Sequence, residues 1–97
     1  MIKADEENFD AVYLSALAYF ILGDYERANG FLEKSIEMTP SSQEARFMMA
    51  RTLEALGRPE DAVPHWQWFV DELPDSATKI IAGEHLLNLK SSLGIAL

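Results

Sequence analysis

Few of the reactive side chains in this sequence stand where chemistry would need them. His65 and His85 lie 20 residues apart, and neither has partner ligands at metal spacing. Glu84-His85 carries the glutamate and one histidine of a zinc-protease helix but lacks the second histidine that such a site needs. The chain has no cysteine, which excludes disulfides, thiolate metal sites and thiol redox chemistry. No Gly-rich phosphate loop and no nucleophile–base constellation occurs. The expectation is a protein that is not an enzyme, with no metal and no cofactor. What the sequence offers in quantity is large apolar and aromatic side chains, whose chemistry is binding.

Composition narrows the partners. With 97 residues, 48% of them apolar, the chain is one domain with enough material for a modest core. The longest apolar run, Ala16 to Leu22, is about a third of a membrane span, so no membrane insertion is expected. Met1-Ile2-Lys3 leads straight into Asp5-Glu6-Glu7, which reads as no signal peptide and a cytoplasmic location. The net charge is −8, distributed as −5 over residues 1–42, −4 over 43–76 and +1 over 77–97. Such a surface repels phosphate backbones and excludes nucleic acid as a partner. It keeps the chain soluble, and it can also steer a basic partner.

The elements that position these residues are announced by a repeat. Gly23-Asp24-Tyr25-Glu26-Arg27-Ala28 recurs as Gly57-Arg58-Pro59-Glu60-Asp61-Ala62, an offset of 34 residues. The same offset links Ala16 to Ala50, Leu22 to Leu56, Ala28 to Ala62 and Pro40 to Pro74. A fixed period of this size marks a stacked array of helical units. Each glycine follows an apolar helical run and ends it cheaply in a left-handed conformation. The element is a tight turn between two antiparallel helices.

These residues resemble the tetratricopeptide repeat, a helix pair of 34 residues. Residues 9–42 match with Ala16, Tyr19, Gly23, Tyr25, Ala28 and Pro40, and residues 43–76 with Ala50, Leu53, Gly57, Ala62, Trp66 and Pro74. Val12 and Arg46 depart from the family, which often has Trp there. Phe69 replaces the usual Ala, so packing around it must be wider. The resemblance implies an all-α fold, a right-handed α-α superhelix of stacked helix-turn-helix units with about five helices. It implies a single domain made of repeat one (9–42), repeat two (43–76) and a capping helix (77–93). It also implies a non-catalytic module for protein–protein interaction.

Helices are expected over about Phe9–Leu22, Tyr25–Met38, Ser42–Leu56, Pro59–Leu73 and Ala77–Ser92. Asp24 caps the second, Ser41 with Glu44 forms a capping box for the third, and Asp75 or Ser76 caps the fifth. Asn29-Gly30 marks an exposed face of the second helix. Pro64 lies past the first turn of the fourth and is expected to bend it. The first helix is apolar nearly all round, so something must cover it: upstream repeats, a second copy of the chain or a ligand. Residues 2–8 read as the tail of a preceding repeat or as a solvated arm. Glu84 falls in register with Ala16 and Ala50, which argues for a terminal cap and not a full third repeat. Gly94 to Leu97 read as a frayed end or the start of more chain.

In the resembled family the first helices of the repeats line a concave groove. Carried over residue by residue, that groove contains Tyr13, Leu17, Phe20, Phe47, Met48, Arg51, Ile81 and His85 as candidate partner contacts, with Asp10, Glu44 and Glu54 among them. Some members clamp a terminal carboxylate with Lys, Asn and Arg. The corresponding positions here hold Tyr13, Leu17, Met48, Thr78 and Ala82, so no such clamp is expected. Arg51, the groove's one cation, can pair with Glu54 or with an acidic ligand group. Trp68 lies on the outer face of the fourth helix, where it is either a candidate second interface or partly buried by Pro64 or the next helix. The expected partner is a protein or peptide segment, apolar in character, held in an adaptor or chaperone-like manner. The alternative is a structural unit, self-associating through the first helix or cut from a longer array.

Overall fold

The computed structural model describes residues 8–95. Five helices run in chain order: α1 (Phe9–Ile21), α2 (Tyr25–Met38), α3 (Gln43–Ala55), α4 (Pro59–Glu72) and α5 (Ala77–Leu93). Each packs chiefly on its sequence neighbours, α1 on α2, α2 on α3, α3 on α4 and α4 on α5. The result is a stacked helix-hairpin array, elongated at 50 × 29 × 18 Å. The reading of residues 2–7 as an upstream tail, and the apolar pair Ala96-Leu97, lie outside the described residues.

The turns follow from glycine. Gly23 and Gly57 sit at φ 83° and 76°. Around them Asp24 N donates to Tyr19 O at 2.9 Å and Arg58 N to Leu53 O at 2.8 Å. Gly23 N reaches Phe20 O, and Gly57 N reaches Glu54 O, both at 3.0 Å. This paired bonding satisfies carbonyls that the helix end would leave open. α5 ends the same way, with Ile95 N on Lys90 O at 2.9 Å. Gly94 therefore closes α5 sharply, where fraying was one expectation.

Helix starts keep the period. Asn8, Ser42 and Ser76 cap α1, α3 and α5, and each side chain accepts a backbone N–H three residues on. The cap of α3 is Ser42 and not Ser41. Its Oγ accepts from Ala45 N at 3.1 Å and donates to Glu44 Oε1 at 3.3 Å. Ser41 fails because the chain after Pro40 needs one more residue before it enters the helix. Asp24 caps α2 through Arg27 N, as expected.

Alanines let the helices close on one another. Ala16, Ala28, Ala50 and Ala62 have no exposed surface, and Leu32, Trp66 and Phe69 fill the space beside them. Phe69 is accommodated by edge and tilted contacts with Trp68 and Trp66 at 5.2 and 6.0 Å. The buried hydroxyls of Ser35 and Thr52 donate to the carbonyls of Phe31 and Met48, one turn back.

One more expectation needs correction. Asn29 is buried and not exposed, because α2 is covered by both α1 and α3; its Oδ1 has no partner. α4 continues through Pro64 without a break. The ring is exposed, and the carbonyl it deprives of a bond belongs to Glu60 in the first turn. α1 buries only Val12 and Ala16, while Leu14, Ile21 and Leu22 are open. α5 begins in register as the first helix of a third unit would. It packs chiefly on α4 and touches α3 through His85, so Ile80, Ile81 and Leu87 stay exposed.

Overfilling the closest contact tests this packing. Ala50→Leu should destabilise the fold by about 1–3 kcal/mol, read from the midpoint of urea unfolding.

Candidate functional site

Two registers of the repeat run across α1, α3 and α5. One is Tyr13, Phe47 and Ile81, and the other is Leu17, Arg51 and His85. Side chains, more than helix axes, join the three helices along these rows. The Arg51 guanidinium lies 5.9 Å from the ring centre of Phe20 in α1 and 5.6 Å from that of Phe47 in its own helix. Such placement over two aromatic faces stabilises the cation. Glu54 is therefore not the partner of Arg51. Its Oε2 accepts from Trp66 Nε1 at 2.6 Å and lies 2.9 Å from His85 Nε2. One carboxylate oxygen thus ties α3, α4 and α5 together.

Trp66 is the floor of this arrangement. It is buried, with Phe47 edge-on at 5.6 Å and the His85 ring at 4.5 Å. Phe47 stays 40% exposed above it. Beside Phe47, Phe69 and Thr78 a cleft of about 450 Å³ opens toward Ser42, Gln43 and Glu44. The same three residues border a smaller recess of about 220 Å³ against Trp66, Ile81 and Ala82. The two form one depression between α3 and α5, apolar below and polar at the rim. At that end Tyr13 feels Glu44: burial first, and then the Glu44 carboxylate, push its phenol up from the usual tyrosine range.

The expected site residues divide accordingly. Phe47 and Ile81 border the depression, His85 packs beside it on Trp66, and Arg51 over the Phe20 ring leads toward α1. Met48 and Tyr13 pack partly against the core. Phe20 also stands edge-on to Tyr25 at 5.1 Å, which draws it toward α2. Leu17 is half-buried. For Trp68 the reading of an open indole stands against partial burial. It is half-buried, with the Arg46 guanidinium 5.2 Å from its ring centre. The cause is the departure at Arg46, whose long side chain reaches across to α4. Sequence reasoning found Trp66 as a repeat position and missed its bond to Glu54. The available signal was that a buried indole N–H needs an acceptor, and Glu54 is the acidic residue that α3 presents there.

A family model described as anaphase-promoting complex, cyclosome, subunit 3 matches residues 1–68. The chain belongs to this family. It is a tetratricopeptide-type family, and the match takes in the first hairpin and the second as far as Trp68. Membership agrees with the stacked hairpins and with the Gly23 and Gly57 turns. Families of this type serve protein–protein interaction and are typically non-catalytic. No curated protein matches the chain. Among the described residues no helix is long and apolar enough to cross a membrane, and no cluster of three His, Asp or Glu is placed to hold a metal ion.

Two measurements probe the site's polar contacts. Glu54→Ala removes the acceptor from a buried indole N–H and should cost about 1–3 kcal/mol. Glu54→Gln keeps an acceptor and should cost less, in the same unfolding assay. His65 in α4 is half-buried with its Nδ1 unpartnered. Burial and then the positive charge of Arg46 push its imidazole down from the usual range, against a smaller opposing pull from Asp61. The folded chain therefore binds the proton less readily than the unfolded chain. Stability should be intact above the unfolded histidine pKa of about 6.5 and fall as pH drops from there toward the lower folded value. His65→Gln should flatten that part of the profile, measured by urea unfolding between neutral and mildly acidic pH.

Proposed function

We propose that this chain is an adaptor or chaperone-like interaction module. It holds an apolar segment of a partner protein across α1, α3 and α5. The observation that carries this reading is the depression between α3 and α5, where Phe47 is left 40% exposed over a floor of Trp66 and Phe69. A large apolar side chain seated there would contribute about 1.5–3 kcal/mol of burial. Arg51, occupied by two aromatic faces, contributes shape to the groove wall, while Glu44 supplies negative charge at the rim. With −9 net over residues 1–76, the surroundings favour a partner whose apolar residue is followed by Lys or Arg. The name of the matched family is that of a subunit of a complex. Applied here, it supports a partner that is another protein chain within an assembly. The contact residues are Tyr13, Leu17, Phe20, Phe47, Met48, Arg51, Ile81 and His85, with Phe47 and Ile81 as the central pair.

A second reading draws on α1. Leu14, Ile21 and Leu22 are 61%, 83% and 77% exposed, a row that a further helix of a longer array would cover. In that reading the chain acts as a structural segment.

Selection of a peptide library displayed on phage against the immobilised chain separates the two. Groove binding predicts enriched peptides with a large apolar residue near a Lys or Arg. Those peptides should lose at least about tenfold in affinity for the Leu17→Glu, Phe47→Glu double variant, one decade per 1.4 kcal/mol. The variant should keep its helical circular dichroism. Enriched peptides that bind the double variant undiminished would sink the groove reading.

A further inference from the structure

The groove leaves the far side of α5 unused. Ile80, Gly83, Glu84, Leu87 and Lys90 recur at spacings of three and four, so they share one stripe of the helix. Ile80 is 62% and Leu87 53% exposed. With Gln67 and Val70 of α4 these residues border a notch of about 520 Å³. Lys90 Nζ sits at its edge, 3.5 Å from Gln67 Oε1.

The repeat period says what the notch is shaped for. Ser42 and Ser76 cap α3 and α5 in register, so Gly83, Glu84 and Leu87 stand where Met49, Ala50 and Leu53 stand in the second repeat. Met49, Ala50 and Leu53 are all buried, and α4 packs across α3. The notch is a seat for one more helix, antiparallel to α5.

Glu84 selects the occupant. A carboxylate replaces the alanine of the closest contact, so the incoming helix must bring a cation to it. α1 has open apolar residues but no Lys or Arg. α5 has both, and residues 77–97 are the one segment with positive net charge. Consider two α5 helices laid antiparallel about a two-fold axis at Leu87. Leu87 meets Leu87 of the second copy, and Glu84 comes level with Lys90 of the second copy. Ile80 comes level with Gly94, where no side chain stands in the way. A two-fold interface must be self-complementary in this sense. It also joins two chains of net charge −8 at their least acidic surface, which limits repulsion. The geometry points to a homodimer in which α5 of a second copy occupies the notch between α4 and α5. Ile81 and His85 lie on another side of α5, so the groove stays open in the dimer.

Light scattering behind a sizing column, from about 1 μM to about 1 mM, tests this. The wild-type chain should approach twice its 10.9 kDa mass as concentration rises. Leu87→Glu should remain monomeric with unchanged circular dichroism. Glu84→Lys and Lys90→Glu place like charges together and should each weaken association by at least about tenfold. Mixing these two single variants should restore it, because every cross-pair is again of opposite sign. A wild-type chain that is monomeric throughout overturns the proposal. So does a dimer that survives Leu87→Glu, or a mixture that associates no better than its components.

Discussion

Everything in this molecule depends on close approach between consecutive helices. Ala16, Ala28, Ala50 and Ala62 are fully enclosed, and they are small enough for neighbouring backbones to come together. The glycine turns bring each hairpin back on itself at the right place. Because contact is made mainly with the helix before and the helix after, no element is surrounded. Each interior helix has two covered sides and a free one, and each terminal helix has one covered side. The binding depression and the open faces of α1 and α5 are consequences of this single rule.

The free side is where the polar side chains acquire specific work. Glu54 serves Trp66 and His85 with one oxygen, and so connects three helices through a partly buried point at the edge of the core. Arg51 is held between aromatic faces and not by a carboxylate. The two groups were natural mates by charge and by sequence distance. They separate because the buried indole N–H has no water to turn to, whereas the guanidinium does. Desolvation decides between the alternatives, not attraction.

The repeat itself was readable because its punctuation is local. Gly23 and Gly57 each need only their own backbone conformation, and Asp24 needs only the amides that follow it. The helix boundaries therefore fall within a residue of expectation. What the sequence concealed depends on neighbours. Asn29 looks polar and surface-bound until α3 covers the side of α2 that α1 does not. Trp68 looks outward until Arg46 reaches over it from another helix. Ser41 and Ser42 are chemically equal candidates for one cap, and only the path of the chain after Pro40 distinguishes them. At the depression, Phe47 and Ile81 come from carrying the resembled family's groove along the repeat, while the floor made by Trp66 requires knowing which way an indole turns.

The array is 18 Å across its thinnest dimension, about one and a half times the diameter of one helix with its side chains. Its interior is accordingly a thread and not a ball. A disturbance at one point can travel along that thread in two directions only, and it fades at each hairpin it crosses. The surfaces at opposite ends are thus mechanically insulated from each other. Such a chain can change what it presents at α1 without retuning α5, and its partners at the two ends can be exchanged separately as sequences diverge.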